Sequence, residues 1–529
     1  MEVGLLQKGR DGEQRPCNCL LRCLPCENQA CLRRCKCCMR PVICPRLVVC
    51  VLALVGLAAG GVIAVLCWSV WRQEMLSERP VVPVNLNIGG WLLLEAWMFS
   101  GEIGTQWDTL NQGICFPPAV LHEPWPSEGV LVQQMLSSLG NDRTIEQFRL
   151  HRETFITTED LDDIVSLGVQ VIRVPFMWTA FADALIRIDR NVYGGFDPEL
   201  ETTVIPDPFY YQNASYVTIP RNILAQFLRN CSERGLKVLL DLHAYPSGSA
   251  NGSYNGIVPL DAVFWSQHAR IGNTSVALTD AGLWIVDKFI RWIEDLGPAA
   301  RSSVEGISLM NEPGNDISNI AFHSQKMLDW MAQAADIFRA STLPGRGVKL
   351  YVNLIQNSIP NFYVAASTWW RGTFSEAERS LWAVFDMHNY LAWSATCKGH
   401  HADVDEPGWS CQDPLDHIRR LVDNCIGPFL EELAWMFGNL RAIGEFSLAT
   451  HGYEAFACSN HEVLDMLLAE QLLIFRKYAY QPFFWSWKMP YSPTKEPGWS
   501  YQYHVGLSKT PPFQCHPPQS SALDSMEHR

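Results

Sequence analysis

Between residues 84 and 485, eight β-branched apolar runs alternate with segments of helical period, which predicts an α/β fold, a (β/α)8 TIM barrel with long inserted loops. An open doubly wound sheet more often has five to seven strands, and no GxGxxG or Walker loop occurs to support one. A further run of 25 uncharged residues, 47–71, adds an N-terminal transmembrane helix to the expectation.

The strands are expected at 84–88, 169–174, 237–242, 306–310, 348–354, 383–387, 441–444 and 482–485. Helical spacing falls at 158–167, 220–234, 280–296, 322–340, 414–437 and 461–479. The first of these helices is preceded by Thr157-x-x-Asp160, a pattern of the capping-box type. Segments 97–155, 176–219 and 390–412 are rich in Pro, Gly and aromatics and read as loops around the barrel mouth.

The uncharged run exceeds the roughly 20 apolar residues that cross a hydrocarbon core and carries Trp68 and Trp71 at one end, as interface anchors do. It begins too far from the N-terminus for a cleaved signal peptide. Residues 1–46 hold nine Lys/Arg against four Asp/Glu, so the positive-inside bias puts them in the cytoplasm and makes the chain a single-pass type II membrane protein. The expected organisation is a Cys-rich basic tail (1–46), a signal anchor (47–71), a stalk (72–83), the barrel (84–517) and a C-terminal tail (518–529). The catalytic domain would then be extracellular at the plasma membrane, or lumenal in the Golgi or endoplasmic reticulum.

Eleven of the 18 Cys lie at or before Cys67, nine of them between Cys17 and Cys44. No His precedes the uncharged run and the spacing follows no finger pattern, so reversible palmitoylation and a plain reduced tail are the readings left open. Seven Cys follow (Cys115, Cys231, Cys397, Cys411, Cys425, Cys458 and Cys515), enough for three disulfides and one free thiol of undetermined pairing. Asn213, Asn230, Asn251 and Asn273 each begin an Asn-x-Ser glycosylation triplet.

Beyond residue 46 the chain carries 32 basic against 51 acidic residues, a balance that excludes nucleic acid as a partner and leaves a neutral sugar compatible. The 20 Trp supply flat faces suited to sugar rings. In a barrel of this type the active site lies at the C-terminal strand ends, and polar or aromatic groups stand at nearly all of them. They are Glu95, Arg173, His243, Asn311 with Glu312, His388 with Tyr390, Glu445, and Trp485 with Trp487. Singly each is as well read as an ion pair, a core histidine or a surface acid; together they converge on one mouth. Two carboxylates there meet the need of glycosidic cleavage, with an acid for the leaving oxygen and a second carboxylate at the anomeric carbon. Opposed strands would hold them about 5–5.5 Å apart, the separation of a retaining double displacement. The acid must then be protonated, which burial and a neighbouring anion favour. No metal-ligand cluster competes for the position, and no metal or cofactor is expected.

The motifs NIGGWLLLE, HRETFITTEDL, VIRVPFMWTAF, DLHAYPSGSANG, NEP, DMHNY, GEFSLA and FWSWK, in this order, resemble glycoside hydrolase family 5, nearest to its fungal-type exo-β-1,3-glucanases, from about residue 85 to 506. The resemblance implies a β-glucan substrate, with Glu312 as acid/base and Glu445 as nucleophile held by Arg173. Asn311 would bind the substrate 2-hydroxyl, His243, His388 and Tyr390 would line the cleavage subsite, Glu95 would bind the terminal sugar, and Trp485 or Trp487 would stack on it. Three departures bear on specificity: Ala-Tyr-Pro-Ser-Gly after His243, Phe446 in place of Trp, and Met-Pro after Lys488. A glucosidase for glucosylceramide or steryl glucosides, an endo-β-1,4-glucanase and a catalytically silent glucan receptor share enough of this pattern to remain alternatives.

Overall fold

The computed structural model describes residues 84–99, 107–108, 115–116, 125–271, 273–313, 320–356, 362–401, 407–489 and 496–507. The chain divides into two units, Met1–Val81 and Val82–Arg529. The first, with the expected cytoplasmic tail, membrane span and stalk, lies outside the described residues, as does the C-terminal tail. Among the described residues no helix is long and apolar enough to cross a membrane.

Eight parallel strands close the barrel: β1 (Asn85–Asn87), β2 (Val171–Met177), β3 (Lys237–Ala244), β4 (Val304–Ser308), β5 (Lys349–Gln356), β6 (Ala383–Asn389), β7 (Arg441–Phe446) and β8 (Tyr480–Phe484). Closure is made by β1, which pairs with β8 through Asn85↔Phe483 and with β2 through Leu86↔Ile172. Strands buried on both faces need continuous apolar runs, and β2 is buried at all seven positions. Inside the barrel, Val171, Leu239, Tyr351, Val384, Ala442 and Phe483 form an apolar plug at the N-terminal end. The interior toward the other end is charged.

The main helices are α1 (Glu128–Leu139), α2 (Asn141–Thr154), α3 (Thr158–Ser166), α4 (Arg221–Glu233), α5 (Leu278–Asp295), α6 (Ile320–Ala340), α7 (Phe362–Thr373), α8 (Leu415–Phe437) and α9 (His461–Lys477). The capping box is present at α3: Asp160 N–H donates to Thr157 Oγ1 at 3.2 Å, and Thr157 N–H donates to Asp160 Oδ2 at 2.9 Å. Segment 97–155 is not a loop throughout, because it contains the α1–α2 hairpin, broken at Gly140 with φ +77°. Its apolar residues Leu131, Val132, Met135 and Phe148 pack in a second small core with Leu94, Met98, Trp485 and Trp499. Helix α7 was likewise not expected; its run of Trp, Tyr and Thr has weak helical propensity, and burial of Trp370 holds it in place.

Two disulfides, Cys397–Cys425 and Cys411–Cys458, tie the loops after β6 and β7 to α8 and to each other. Cys231 is a free, buried thiol, whereas the side chains of Cys115 and Cys515 lie outside the description. Of the glycosylation candidates, Asn213, Asn251 and Asn273 are exposed and Asn230 is half-buried on α4.

Candidate active site

Alternate residues of a strand share one face, so Asp241 and His243 of β3 both point into the barrel, as do Asp386 and His388 of β6. Arg173 of β2 lies at their centre and is fully buried. Its Nη1 donates to Glu445 Oε1 at 2.5 Å and to Asn87 Oδ1 at 2.9 Å. Its Nη2 donates to Asn311 Oδ1 at 2.9 Å and meets Asp241 Oδ2 at 2.9 Å. Burial alone would discharge this guanidinium, but Asp241, Glu445 and Asp386 reverse that and raise its pKa above the ordinary value. A permanent cation is therefore fixed beneath the mouth. Asp386 in turn accepts from Gly444 N–H at 2.8 Å; a Cβ at residue 444 would stand 2.5 Å from that carboxylate, which requires glycine before Glu445.

Above Arg173, Tyr390 donates its hydroxyl to Glu445 Oε2 at 2.6 Å. His388 Nδ1 stands 2.7 Å from Glu312 Oε1 and 3.3 Å from Glu445 Oε2. Donor atoms of Glu312, His388 and Glu445 all lie within 4.8 Å of one another. That close approach matches the retaining geometry and is well short of the roughly 6.5–9.5 Å of an inverting pair. Glu312 sits just past β4 with φ +38°, a left-handed conformation that costs a non-glycine residue on the order of 1 kcal/mol and turns its carboxylate toward β6 and β7.

Opposing influences act on the Glu312 carboxyl. Burial raises its pKa, but the hydrogen bond and charge of His388, with a hydrogen bond from Tyr254, win and set it below the ordinary value. His388 moves the other way: burial lowers it, while Glu445, Glu312 and Asp386 together raise it. The two shifts favour a charged carboxylate at Glu312 and a charged imidazole at His388, whose Nδ1 lies between the two carboxylates. The same three groups are those among the described residues close enough to hold a metal ion, yet Glu445 already receives protein donors at both oxygens.

Asn311, Glu312, Tyr390 and Glu445 line one side of a cavity of about 220 Å³. Glu95, Trp97, His243 and Trp485 line it elsewhere, with Ser253, Tyr254 and Trp393. Glu95 accepts from Trp97 Nε1–H at 2.8 Å, and burial, outweighing His243, pushes its carboxyl up to about 7. The Trp485 ring stacks near His243 at 6.0 Å between centroids, and Gly89 makes room for it, since a Cβ there would meet Trp485 Cζ2 at 2.8 Å.

The structure therefore brings Glu95, His243, Asn311, Glu312, Tyr390, Glu445 and Trp485 to one cavity, with Arg173 and His388 directly behind. Trp487 does not belong with them. Residues two apart share a face in a regular strand, but β8 ends at Phe484 and the alternation does not continue past it: Trp487 turns into the core, where its Nε1–H donates to Asp160 Oδ1 at 2.9 Å. Sequence reasoning missed Asn87, Trp97, Asp241, Tyr254, Asp386 and Trp393. The period-2 partners of His243 and His388 would have revealed the two aspartates, whereas Tyr254 and Trp393 lie on loops with no such signal.

No family model matches the chain. Among curated proteins it is 28% identical over 328 residues to glucan 1,3-beta-glucosidase 1 of Schizosaccharomyces pombe, covering 60% of this chain and 62% of that one. To glucan 1,3-beta-glucosidase of Blumeria graminis it is 25% identical over 241 residues, covering 45% and 42%. To the sporulation-specific glucan 1,3-beta-glucosidase of Saccharomyces cerevisiae it is 22% identical over 312 residues, covering 59% and 56%. The chain thus spans 42–62% of the length of these relatives. Among solved structures, a protein named AoRut aligns with a TM-score of 0.52 at 15% identity, over 80% of this chain and 96% of that one. A rutinosidase from Aspergillus niger aligns with a TM-score of 0.50 at 14% identity, over 80% and 97%. Both share the barrel. In sequence the chain thus resembles the fungal glucan 1,3-β-glucosidases, and in fold it shares the barrel of the two solved structures.

Proposed function

We propose that this chain is a retaining β-glycoside hydrolase acting on β-glucan, and specifically an exo-acting glucan 1,3-β-glucosidase that releases glucose. The observation that carries the reading is the pair Glu312 and Glu445, with carboxylate oxygens within 4.8 Å in a cavity walled by Trp97, Trp485 and a buried Glu95. The relatives' names support the linkage. The cavity's volume of about 220 Å³ is that of one sugar ring, which favours exo over endo action.

In the first step Glu445, aligned by Arg173 and Tyr390, attacks the anomeric carbon while Glu312 protonates the departing glycosidic oxygen. The proton reaches Glu312 from His388 Nδ1, 2.7 Å away. Sugar binding displaces water from Glu312 and further disfavours its charged form, which drives that transfer. Once Glu445 is esterified its negative charge is gone. Glu312, now ionised, takes a proton from water, and the water attacks the glycosyl-enzyme to give product with retained configuration.

The second reading is hydrolysis of glucosylated lipids, favoured by Trp393, which lines the cavity and remains 54% exposed, giving an apolar shoulder where an aglycone would leave. For location we propose a type II membrane protein with the barrel outside or in a lumen. The uncharged run 47–71, its basic flank, the two disulfides and three exposed Asn-x-Ser sites support this.

Product analysis on laminarin, cello-oligosaccharides and glucosylceramide tests the substrate, and NMR of the first product tests the stereochemistry. Glucose as the β anomer from laminarin is the expected result. Release of α-glucose at the earliest times overturns the mechanism, and turnover of glucosylceramide alone transfers the assignment to the second reading.

A further inference from the structure

At the end of the barrel remote from Glu312 and Glu445, the first residues of β5, β7 and β8 border a second cavity, of about 450 Å³. Lys349, Arg441 and Arg476 line it, and no Asp or Glu does, on a chain whose formal net charge is −14. A cluster of one sign needs counter-charge, so each cation has to be traced to its partners.

Lys349 is accounted for by Glu305, at 2.5 Å. Arg441 is half-buried, and its two terminal nitrogens donate to backbone carbonyls at helix C-termini, Ala434 O at 3.4 Å and Tyr478 O at 2.6 Å. These carbonyls use two donors and supply only partial negative charge. Arg441 Nε is buried with no hydrogen-bond partner among the described residues. The guanidinium lies over the Tyr480 ring, 5.2 Å from its centroid, but meets no carboxylate among the described residues, and burial lowers its pKa against the Tyr480 hydroxyl, so no full negative charge compensates it. Arg476, exposed in the last turn of α9, forms no ion pair among the described residues. The cavity therefore combines forked N–H donors, uncancelled positive charge and room for a guest. Planar guanidinium groups match tetrahedral oxyanions geometrically as well as electrically.

We propose that this basal cavity binds an oxyanion, phosphate or sulfate, either free or as the ester of a small organic group. Its volume exceeds that of a bare ion, and Leu472 and Pro482 offer an apolar wall for an organic part. Nothing in this inference depends on the glycosidase reading, since none of its residues touches the catalytic cavity.

The test uses the purified full chain, titrated calorimetrically with inorganic phosphate, sulfate and glycerol 3-phosphate against sodium chloride of equal ionic strength, with melting temperature followed in parallel. Saturable binding with a raised melting temperature is expected, weakened about tenfold or more by Arg441→Gln and by Arg476→Gln, with glycosidase activity unchanged. Arg441 also caps two helices, so the exposed Arg476→Gln carries the test if Arg441→Gln fails to fold. Tighter binding of glycerol 3-phosphate identifies an ester as the guest, and equal affinities identify the free ion. The proposal falls if the three anions act no differently from chloride, or if their effect survives Arg476→Gln undiminished.

Discussion

Glu128, at the first turn of α1, is buried to 1% exposure and takes no part in the proposed chemistry, yet its Oε2 accepts the Leu94 N–H at 2.9 Å and so anchors the loop that carries Glu95. Burial, only partly opposed by Arg152 and that hydrogen bond, pushes its carboxyl from 4.5 up to about 7. A raised folded-state pKa means that the folded protein holds this proton more tightly than the unfolded chain does. Glu128 therefore contributes stability below pH 4.5 that is lost as pH rises toward 7, and the loss is complete above 7. At 1.36 kcal/mol per pKa unit, the roughly 2.5-unit displacement corresponds to about 3 kcal/mol between pH 4 and pH 8. Glu128→Gln keeps an acceptor for Leu94 N–H and removes the titration. Urea unfolding of wild type and Glu128→Gln at both pH values isolates this residue, because every other titrating group is common to the pair. The variant is expected to gain about 3 kcal/mol relative to wild type on going from pH 4 to pH 8. An offset independent of pH, or a relative loss at pH 8, refutes the reasoning.

Removing the Tyr390 hydroxyl by Tyr390→Phe leaves Glu445 Oε2 without its donor at 2.6 Å; a charge-assisted hydrogen bond of about 1.5–3 kcal/mol translates into a fall of roughly 10- to 150-fold in kcat/KM, measured on an aryl glucoside with the melting curve as control. Asp241→Asn removes one partner of a buried pair with Arg173 and His243, so a destabilisation of about 3–5 kcal/mol is expected in urea unfolding, and a loss under 1 kcal/mol would show that the network is not held by charge. Glu445→Ala should abolish turnover and be partly rescued by azide with an inverted glycosyl azide, whereas Glu312→Ala should slow poor leaving groups far more than activated aryl glucosides; near-normal rates in the first variant would remove Glu445 as nucleophile. Peptide mapping after deglycosylation should find modified Asn213, Asn251 and Asn273, which are exposed, in preference to half-buried Asn230, and an unmodified set would contradict passage through a lumen.

Much of the barrel was legible because its strands are largely buried on both faces and so read as mainly apolar runs, broken where a polar group faces the barrel interior. Arg173 breaks the run of Val171–Met177, and Asp241 and His243 break that of Lys237–Ala244. Boundaries slipped where irregular chain follows a strand: β4 ends at Ser308, and Asn311 and Glu312 lie beyond it in a segment with φ +38° at Glu312. The α1–α2 hairpin was concealed by flanking Pro and Gly, although its heptapeptide Leu-Val-Gln-Gln-Met-Leu-Ser carries a helical apolar face. That face has meaning only against Leu94 and against Trp485 and Trp499, which the fold brings from the far end of the chain.

By itself the sequence determined the strand count, the polar or aromatic groups at the strand ends and the two candidate carboxylates, because local periodicity records which residues must leave water and which must not. Tertiary structure alone decided three matters. It separated Trp485 from Trp487, since which face of the chain meets the cavity depends on the register against β1 and β7. It set the opposed shifts of Glu312, downward, and His388, upward, since a pKa follows from which charges and how much burial surround a group, and Glu312, His388 and Glu445 come from three different strands' ends. It also gathered Lys349, Arg441 and Arg476 around one cavity at the base of the barrel, where charges up to 127 positions apart in the chain become neighbours because barrel closure, and not sequence proximity, sets their distance.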